Sequence, residues 1–208
     1  MARQRNSSHR NRVSTPGRLR IVAGKWRSRL VNVASVPGLR PTSERIRETL
    51  FNWLASQVHG KRCLDLFAGT GALGLEALSR GAASVTFVEK SQDAASMLRQ
   101  VCAELGADGA EIRCEDAFQF LRSACNERFD LVFLDPPFAD DSLADLCRLL
   151  TAYGCLSAGA HIYLEQEKTQ APPDLPQAWV VLREKIAGNV RYSLVAASGQ
   201  SGARHPAV

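Results

Sequence analysis

The stretch KRCLDLFAGTGALG, from Lys61 to Gly74, decides the fold of this chain. Its first half indicates a short buried strand, and three glycines then follow with the spacing Gly-x-Gly-x-x-Gly, at positions 69, 71 and 74. Glycines at this spacing allow a tight turn and a close approach of the backbone to a nucleotide cofactor, and apolar residues then open a helix. A strand, such a turn and a helix form the first unit of a doubly wound α/β fold.

Two further strands end in acidic residues. Ser84 to Val88 is β-branched and leads into Glu89, at about the offset where an acid binds ribose hydroxyls in such folds. A short strand over residues 111–114 leads to Asp116, whose carboxylate can accept a hydrogen bond from an adenine amino group. We therefore predict a cofactor site formed by Asp65, Phe67, Ala68, Gly69, Gly71, Gly74, Glu89, Lys90, Asp116 and Ala117.

The position of Asp65 distinguishes between two cofactors. A dinucleotide places its pyrophosphate at the helix N-terminus, where an acid four residues before Gly69 would repel it. The same acid suits S-adenosylmethionine, which carries positive ammonium and sulfonium groups. We predict S-adenosylmethionine as the cofactor, with its methionine part at the glycine turn and its ribose at Glu89.

The chemistry is indicated by Asp135-Pro136-Pro137-Phe138, which follows the apolar strand 129–134. Two prolines end the strand and stiffen the turn. Taken alone, the motif could serve only to terminate the strand. Beside a methyl-donor site, the Asp135 carboxylate and the Pro136 carbonyl suit the two N–H groups of a planar amine, and Phe138 suits stacking on its ring. We predict these four residues as the catalytic set.

These segments together resemble a known family. The cofactor turn, the Glu115-Asp116-Ala117-Phe118 stretch and the Asp-Pro-Pro-Phe sequence are similar to the RsmD family, bacterial 16S ribosomal RNA guanine-N2 methyltransferases. The segments 20–27, 40–52 and 188–194 extend the resemblance over residues 19–196, and the Arg-Pro-Thr element at 40–42 is the most particular to this family. Ser28 departs from it, because a glycine is expected there.

The resemblance implies a fold, a reaction and a partner. The expected fold is a doubly wound, mostly parallel seven-stranded class I methyltransferase (Rossmann-like) domain with a small N-terminal hairpin and helix. The expected reaction is methylation of a guanine N2 amine, resembling 16S rRNA (guanine(966)-N(2))-methyltransferase, on 16S rRNA within a partly assembled small ribosomal subunit. We further expect a cytoplasmic monomer.

The charge distribution supports a nucleic-acid partner. Residues 1–43 hold ten Arg or Lys and no acid, whereas the whole chain has a net charge of +5. From residue 18 onward, basic and apolar residues alternate as in a β-hairpin, and Thr42 or Ser43 can cap the helix that follows. We expect Arg45 and Arg47 on the exposed face of that helix, and predict RNA contacts by Arg20, Lys25, Arg27, Arg29, Arg40, Thr42, Arg45 and Arg47.

The remaining sequence sets the domain limits. We expect a disordered basic arm at 1–17, the RNA-binding hairpin and helix at 18–58, the methyltransferase domain at 59–196 and a flexible tail at 197–208. A late strand is predicted at 161–164, and an antiparallel pair at 179–182 and 191–196. Six cysteines without a Cys-x-x-Cys pair indicate buried thiols, neither disulfides nor a metal site, and no apolar run is long enough to cross a membrane.

Three other functions fit parts of the pattern. A methyltransferase acting on protein glutamine or on DNA adenine would use a similar pocket for a planar nitrogen. A non-catalytic RNA-binding assembly factor would keep the basic segment and need no donor. Donor binding and the identity of the methylated product separate these alternatives.

Overall fold

The computed structural model describes residues 17–33, 42–123, 127–137 and 142–197. A two-stranded hairpin and a helix precede an alternation of strands and helices. The elements are β1 (Gly17–Arg20), β2 (Leu30–Val33), α1 (Glu44–Leu54), a 3₁₀ turn (Ala55–Gln57), β3 (Arg62–Asp65), α2 (Ala72–Ser79), β4 (Ser84–Val88), α3 (Gln92–Leu105), β5 (Ala110–Arg113), α4 (Ala117–Ser123), β6 (Phe129–Leu134), α5 (Leu143–Ala152), β7 (Leu156–Glu167), β8 (Trp179–Ala187) and β9 (Val190–Ala197).

Seven strands form one sheet in the order β5-β4-β3-β6-β7-β9-β8. The first five in that order run parallel, and β9 and β8 pair antiparallel at one edge. From β3 the strands are added first on one side, as β4 and β5, and then on the other side, beginning with β6. Doubly wound folds bind ligands at this switch point in the strand order. The predicted doubly wound, mostly parallel seven-stranded (Rossmann-like) fold is confirmed.

Helices cover both faces of the sheet, because its central strands are apolar on both sides. The hairpin, α1, α2 and α3 pack in one apolar core, which includes Leu50, Leu75 and Leu98. The helices α4 and α5 pack on the opposite face, around Leu121 and Leu146.

The hairpin is held on α2 by backbone contacts. Gly24 has φ +83°, and a Cβ there would lie 1.8 Å from the carbonyl oxygen of Ser79, so the close approach requires glycine. The Lys25 N–H donates to the same carbonyl at 2.7 Å, and the Trp26 N–H donates to the Ser79 hydroxyl at 3.0 Å. The N-terminal segment therefore docks on the α/β core.

Three expectations need correction. The strand predicted at 161–164 extends from Leu156 to Glu167, and both antiparallel strands are longer than predicted. Gly17 and Ala197, which the domain limits assigned to arm and tail, belong to β1 and β9. Cys155 is disulfide-bonded, contrary to the prediction, whereas Cys63, Cys102, Cys114 and Cys147 are free thiols.

Candidate active site

The carboxyl ends of the parallel strands form the candidate site. Asp65 ends β3, Glu89 follows β4, Asp135 follows β6, and Glu165 lies near the end of β7. Parallel register brings these ends to one edge of the sheet, because Asp65 pairs with Phe133 and Leu134 pairs with Leu164. Four acidic side chains therefore line one edge, three of which the sequence predicted.

The glycine turn fits closely between β3 and α2. Gly71 is the N-cap of α2 with φ +77°, and a Cβ there would lie 2.5 Å from Leu98 Cδ1. A Cβ on Gly74 would lie 2.2 Å from Phe87 Cε1. Both glycines are thus needed for the turn and for helix packing, as the predicted cofactor site requires.

Glu89 fixes the glycine turn as well as facing the site. It is buried, and its Oε2 accepts a hydrogen bond from the Gly69 N–H at 2.8 Å while Oε1 accepts one from the Ser91 N–H at 2.7 Å. A carboxylate has about four lone-pair positions. Glu89 therefore retains acceptor capacity for ribose hydroxyls.

Asp65 is buried directly behind the turn. Burial, together with the charges of Asp135 and Glu89, raises the pKa of this carboxyl to about 7, against the Gly74 N–H, which donates to Oδ2 at 3.0 Å and lowers the pKa. A buried acid among other acids is stabilised by a nearby cation. The donor set therefore fits the positive amino-acid end of S-adenosylmethionine.

The other predicted cofactor residues follow the ends of β3, β4 and β5. Asp116 is exposed, and its Oδ1 accepts hydrogen bonds from the Phe118 and Gln119 N–H groups at 2.9 and 3.2 Å, capping α4. Its second oxygen is left for another donor. Ala68 and Ala117 are buried, Phe67 is partly buried, and Lys90 is exposed.

Asp135 is held from the N-terminal segment. The hydroxyl of Thr42, which is buried, donates to Asp135 Oδ2 at 3.1 Å. The sequence assigned Thr42 to RNA contacts, but its side chain faces the predicted catalytic acid. Pro136 is buried and Pro137 is exposed, whereas Phe138 lies outside the described residues.

Arg47 corrects the prediction for α1. We expected it on the exposed face, but its side chain is 1% exposed and its Nη1 lies 3.1 Å from Oε2 of the buried Glu76. Its Nε donates to the Thr42 carbonyl and its Nη2 to the Arg20 carbonyl. Arg47 thus joins the hairpin, α1 and α2, and is not a surface cation.

Glu76 on α2 is the centre of this network, and the sequence did not indicate it. Its two carboxylate oxygens also accept hydrogen bonds from the N–H groups of Val22 and Ala23 and from Arg80 Nε. Removing one partner of such a buried pair costs about 3–5 kcal/mol. The signal available was an acid inside an otherwise apolar helix, ALGLEALS.

Five of the predicted RNA-contacting cations are exposed. These are Arg20, Lys25, Arg27 and Arg29 on the hairpin and Arg45 on α1. Lys25 Nζ lies 5.5 Å from the ring centroid of the buried Trp26. Arg40 lies outside the described residues. Among the residues that the structure describes, no cluster of acids, histidines and cysteines could hold a metal ion, and no helix is long and apolar enough to span a membrane.

Comparison with known proteins gives consistent results. The family model described as conserved hypothetical protein 95 matches residues 19–196. The chain is 44% identical over 192 residues to ribosomal RNA small subunit methyltransferase D of Escherichia coli, covering 91% of this chain and 96% of that protein. The enzyme of the same name from Haemophilus influenzae is 42% identical over 189 residues, covering 88% and 97%. A solved putative methyltransferase from Escherichia coli superposes with a TM-score of 0.83 at 41% identity, covering 88% of this chain and all of that one.

Proposed function

The chain belongs to the conserved hypothetical protein 95 family, which includes ribosomal RNA small subunit methyltransferase D, and from this premise we propose that it methylates the exocyclic N2 amine of a guanine in 16S rRNA. The resemblance to the RsmD family is thereby confirmed, and S-adenosylmethionine is the methyl donor. The observation that carries the proposal is Asp135, held by Thr42 at the sheet edge that also bears the glycine turn.

The described residues account for donor binding. Asp65 is placed to pair with the donor ammonium, Glu89 to accept from the ribose hydroxyls, and the free oxygen of Asp116 to accept from the adenine amine. When bound, S-adenosylmethionine supplies a methyl carbon on a positively charged sulfur, open to in-line attack by a nitrogen lone pair. Gly71 and Gly74 allow the backbone to approach it closely.

Asp135 has the central role towards the guanine. An exocyclic amine is a weak nucleophile, because its lone pair is delocalised into the ring. The Asp135 carboxylate and the Pro136 carbonyl accept hydrogen bonds from its two N–H groups and orient the lone pair. As the new N–C bond forms, the carbon–sulfur bond of the donor breaks to leave a neutral thioether, and Asp135 takes the proton that the nitrogen loses. Orientation of two reactants alone can contribute roughly 7–11 kcal/mol to lowering the barrier. Phe138, which follows the prolines, is assigned the stacking role.

The basic hairpin supplies the contact with RNA. Arg20, Lys25, Arg27, Arg29 and Arg45 are exposed on the N-terminal segment whose Thr42 contacts Asp135. A base must be unstacked before it enters the pocket, which costs a few kcal/mol and least for an unpaired nucleotide. The substrate we propose is therefore a loop guanine, presented by a partly assembled small subunit in the cytoplasm to a monomeric enzyme.

Substitution of Asp135 tests the proposal. Asp135→Asn keeps the side-chain shape but removes the proton acceptor, and we expect kcat to fall by about 10²–10³-fold. The measurement is transfer of labelled methyl from S-adenosylmethionine to small ribosomal particles isolated from cells without this protein. Asp145→Asn, which alters an exposed acid on α5, serves as the matched control and should retain wild-type activity.

Other outcomes identify the alternatives. Full activity of Asp135→Asn would contradict the role given to that carboxylate. Label in DNA adenine or in a protein glutamine would show that the substrate is DNA or protein and not 16S rRNA. Failure to bind S-adenosylmethionine in calorimetry would indicate that the protein is a non-catalytic RNA-binding assembly factor.

A further inference from the structure

A buried carboxyl lies beside Asp135. Leu134 and Leu164 are paired in register on the parallel strands β6 and β7, so the residues that follow, Asp135 and Glu165, are neighbours across the sheet. Glu165 is 4% exposed, and the reaction proposed above assigns it no role.

The Thr42 hydroxyl lies between these two acids. It donates to Asp135 Oδ2 at 3.1 Å, and it is also hydrogen-bonded to Glu165. A hydroxyl has one proton to donate and two lone pairs with which to accept. A proton directed at Asp135 leaves Thr42 only lone pairs for Glu165, an arrangement that requires a proton on the Glu165 carboxyl.

Tyr163 completes the arrangement. It lies two residues before Glu165 on the same face of β7, is fully buried, and its hydroxyl donates to Glu165 Oε2 at 2.7 Å. One oxygen of Glu165 is thereby occupied as an acceptor, which leaves the other oxygen for the contact with Thr42.

We propose that Asp135, Thr42 and Glu165 form a chain that holds a single proton on Glu165, and that Glu165 is a positioning residue for the catalytic Asp135. The proposal rests on the proposed function only for the identity of the reaction. Its consequence is that Oδ2 of the ionised Asp135 is fixed by Thr42, while Oδ1 remains directed to the substrate amine.

The acid–base properties of the pair agree with this geometry. Burial, and after it the charge of Asp135, raise the pKa of Glu165 to about 8, although the hydrogen bonds with Tyr163 and Thr42 lower it. Burial raises the pKa of Asp135 to about 6, against the hydrogen bond from Thr42, which lowers it. The pair therefore holds one proton between about pH 6 and pH 8. The other titratable groups that bear on it are Asp65 on β3, Tyr163 on β7 and Tyr192 on β9.

The expected consequence is an alkaline loss of activity. Above pH 8, Glu165 ionises, and the single Thr42 proton must then serve two carboxylates. Asp135 loses its fixed orientation, and kcat should fall by about tenfold between pH 7 and pH 9. Below pH 6, protonation of Asp135 removes the acceptor for the amine and gives the acidic limb of the profile.

The test is the pH profile of kcat at saturating donor and RNA for Glu165→Gln. Glutamine cannot ionise, and its amide can donate to Thr42, so the alkaline fall should shrink to less than about twofold, with the acidic limb unchanged. Glu167→Gln, on the same face of β7 but hydrogen-bonded to Asn189, is the matched control and should keep the wild-type profile. Thr42→Val should lower kcat across the whole range, and Thr42→Ser should restore it.

A second measurement does not depend on activity. Carbon-13 resonances of the Asp135 and Glu165 carboxyls in the free protein, assigned from Asp135→Asn and Glu165→Gln, should show two titration steps with one proton retained between them. Independent titration of both groups near pH 4, or an unchanged alkaline limb in Glu165→Gln, would overturn the inference. Absence of RNA methylation by the wild-type protein, with two-step titration intact, would instead overturn the proposed function.

Discussion

Asp65 shows how burial prepares a single residue for a cationic ligand. The carboxyl is 2% exposed and lies near two other acids, so its ionised form is unfavourable in the free protein. A ligand ammonium would restore the balance of charge. Donor binding should therefore be linked to the loss of a proton from Asp65.

The affinity for S-adenosylmethionine should consequently depend on pH. With a pKa of about 7, Asp65 is mostly protonated at pH 6 and mostly ionised at pH 8, so donor binding should strengthen by about tenfold over that range. Calorimetry at the two pH values measures the change, and buffers of different ionisation enthalpy should reveal proton release.

Asp65→Asn provides the control. It should bind the donor more weakly and lose this part of the pH dependence, because asparagine does not titrate. An identical pH dependence in the variant and the wild type would mean that Asp65 does not pair with the donor.

At the residue level, the positions of the acidic side chains could be predicted from the local sequence. Asp65, Glu89 and Asp135 follow apolar strands, and the rules for parallel sheets bring strand ends together. Thr42 and Arg47 were misassigned because their partners, Asp135 and Glu76, are distant in the sequence. Their roles arise only when the hairpin docks on α2.

At the level of elements, the hairpin contains a locally strained residue. Ser28 has φ +64°, in the left-handed region, and its N–H donates to the Ile21 carbonyl at 2.8 Å. The RsmD resemblance led us to expect glycine there. A non-glycine residue in this conformation costs roughly 1–2 kcal/mol, so the tight turn is retained at some loss of stability.

Ser28→Gly should therefore stabilise the protein. Relief of the left-handed strain, less the greater freedom of glycine in the unfolded chain, should raise the free energy of unfolding by about 1 kcal/mol. Urea denaturation followed by circular dichroism measures it. Ser28→Ala keeps the strain and should show no such gain; a Ser28→Gly protein less stable than wild type would refute the explanation.

Element boundaries were predictable where polarity changed sharply. Ser43, one of the two predicted caps, caps α1, and Ser91 caps α3. The early part of β7, LSAGA, has small residues without the alternation of polar and apolar residues that predicts a strand. The sequence therefore did not predict this part of β7. The helix α1 buries Phe51 and Arg47 as well as Ile46, Leu50 and Leu54, because it contacts both the sheet and the hairpin side.

At the scale of the whole molecule, positive and negative charge are concentrated in different parts of the chain. The first 43 residues carry about +10, which leaves about −5 for the remainder of the chain. The acids at the sheet edge suit a cationic donor, whereas the exposed hairpin cations suit phosphates. The same division was readable from the sequence, because formal charge does not depend on the fold.

RNA binding should therefore weaken steeply with salt. Each phosphate contact releases counterions, so Arg27→Ala and Arg29→Ala should each reduce the slope of log K against log salt concentration by roughly 0.7–0.9. Filter binding of 16S rRNA fragments across a salt series measures the slopes. Lys185→Ala, an exposed site on the edge strand β8, should leave the slope unchanged; equal slopes in all three variants would exclude the hairpin as the RNA surface.

The central claim is that this chain methylates guanine N2 in 16S rRNA. Its most direct test is to map modified nucleosides by mass spectrometry in small ribosomal subunits from cells lacking this protein, before and after incubation with the purified protein and isotopically labelled S-adenosylmethionine. The account predicts one unmodified guanine that becomes labelled N2-methylguanosine. No missing modification in those cells, or label on another atom, base or macromolecule, would contradict it.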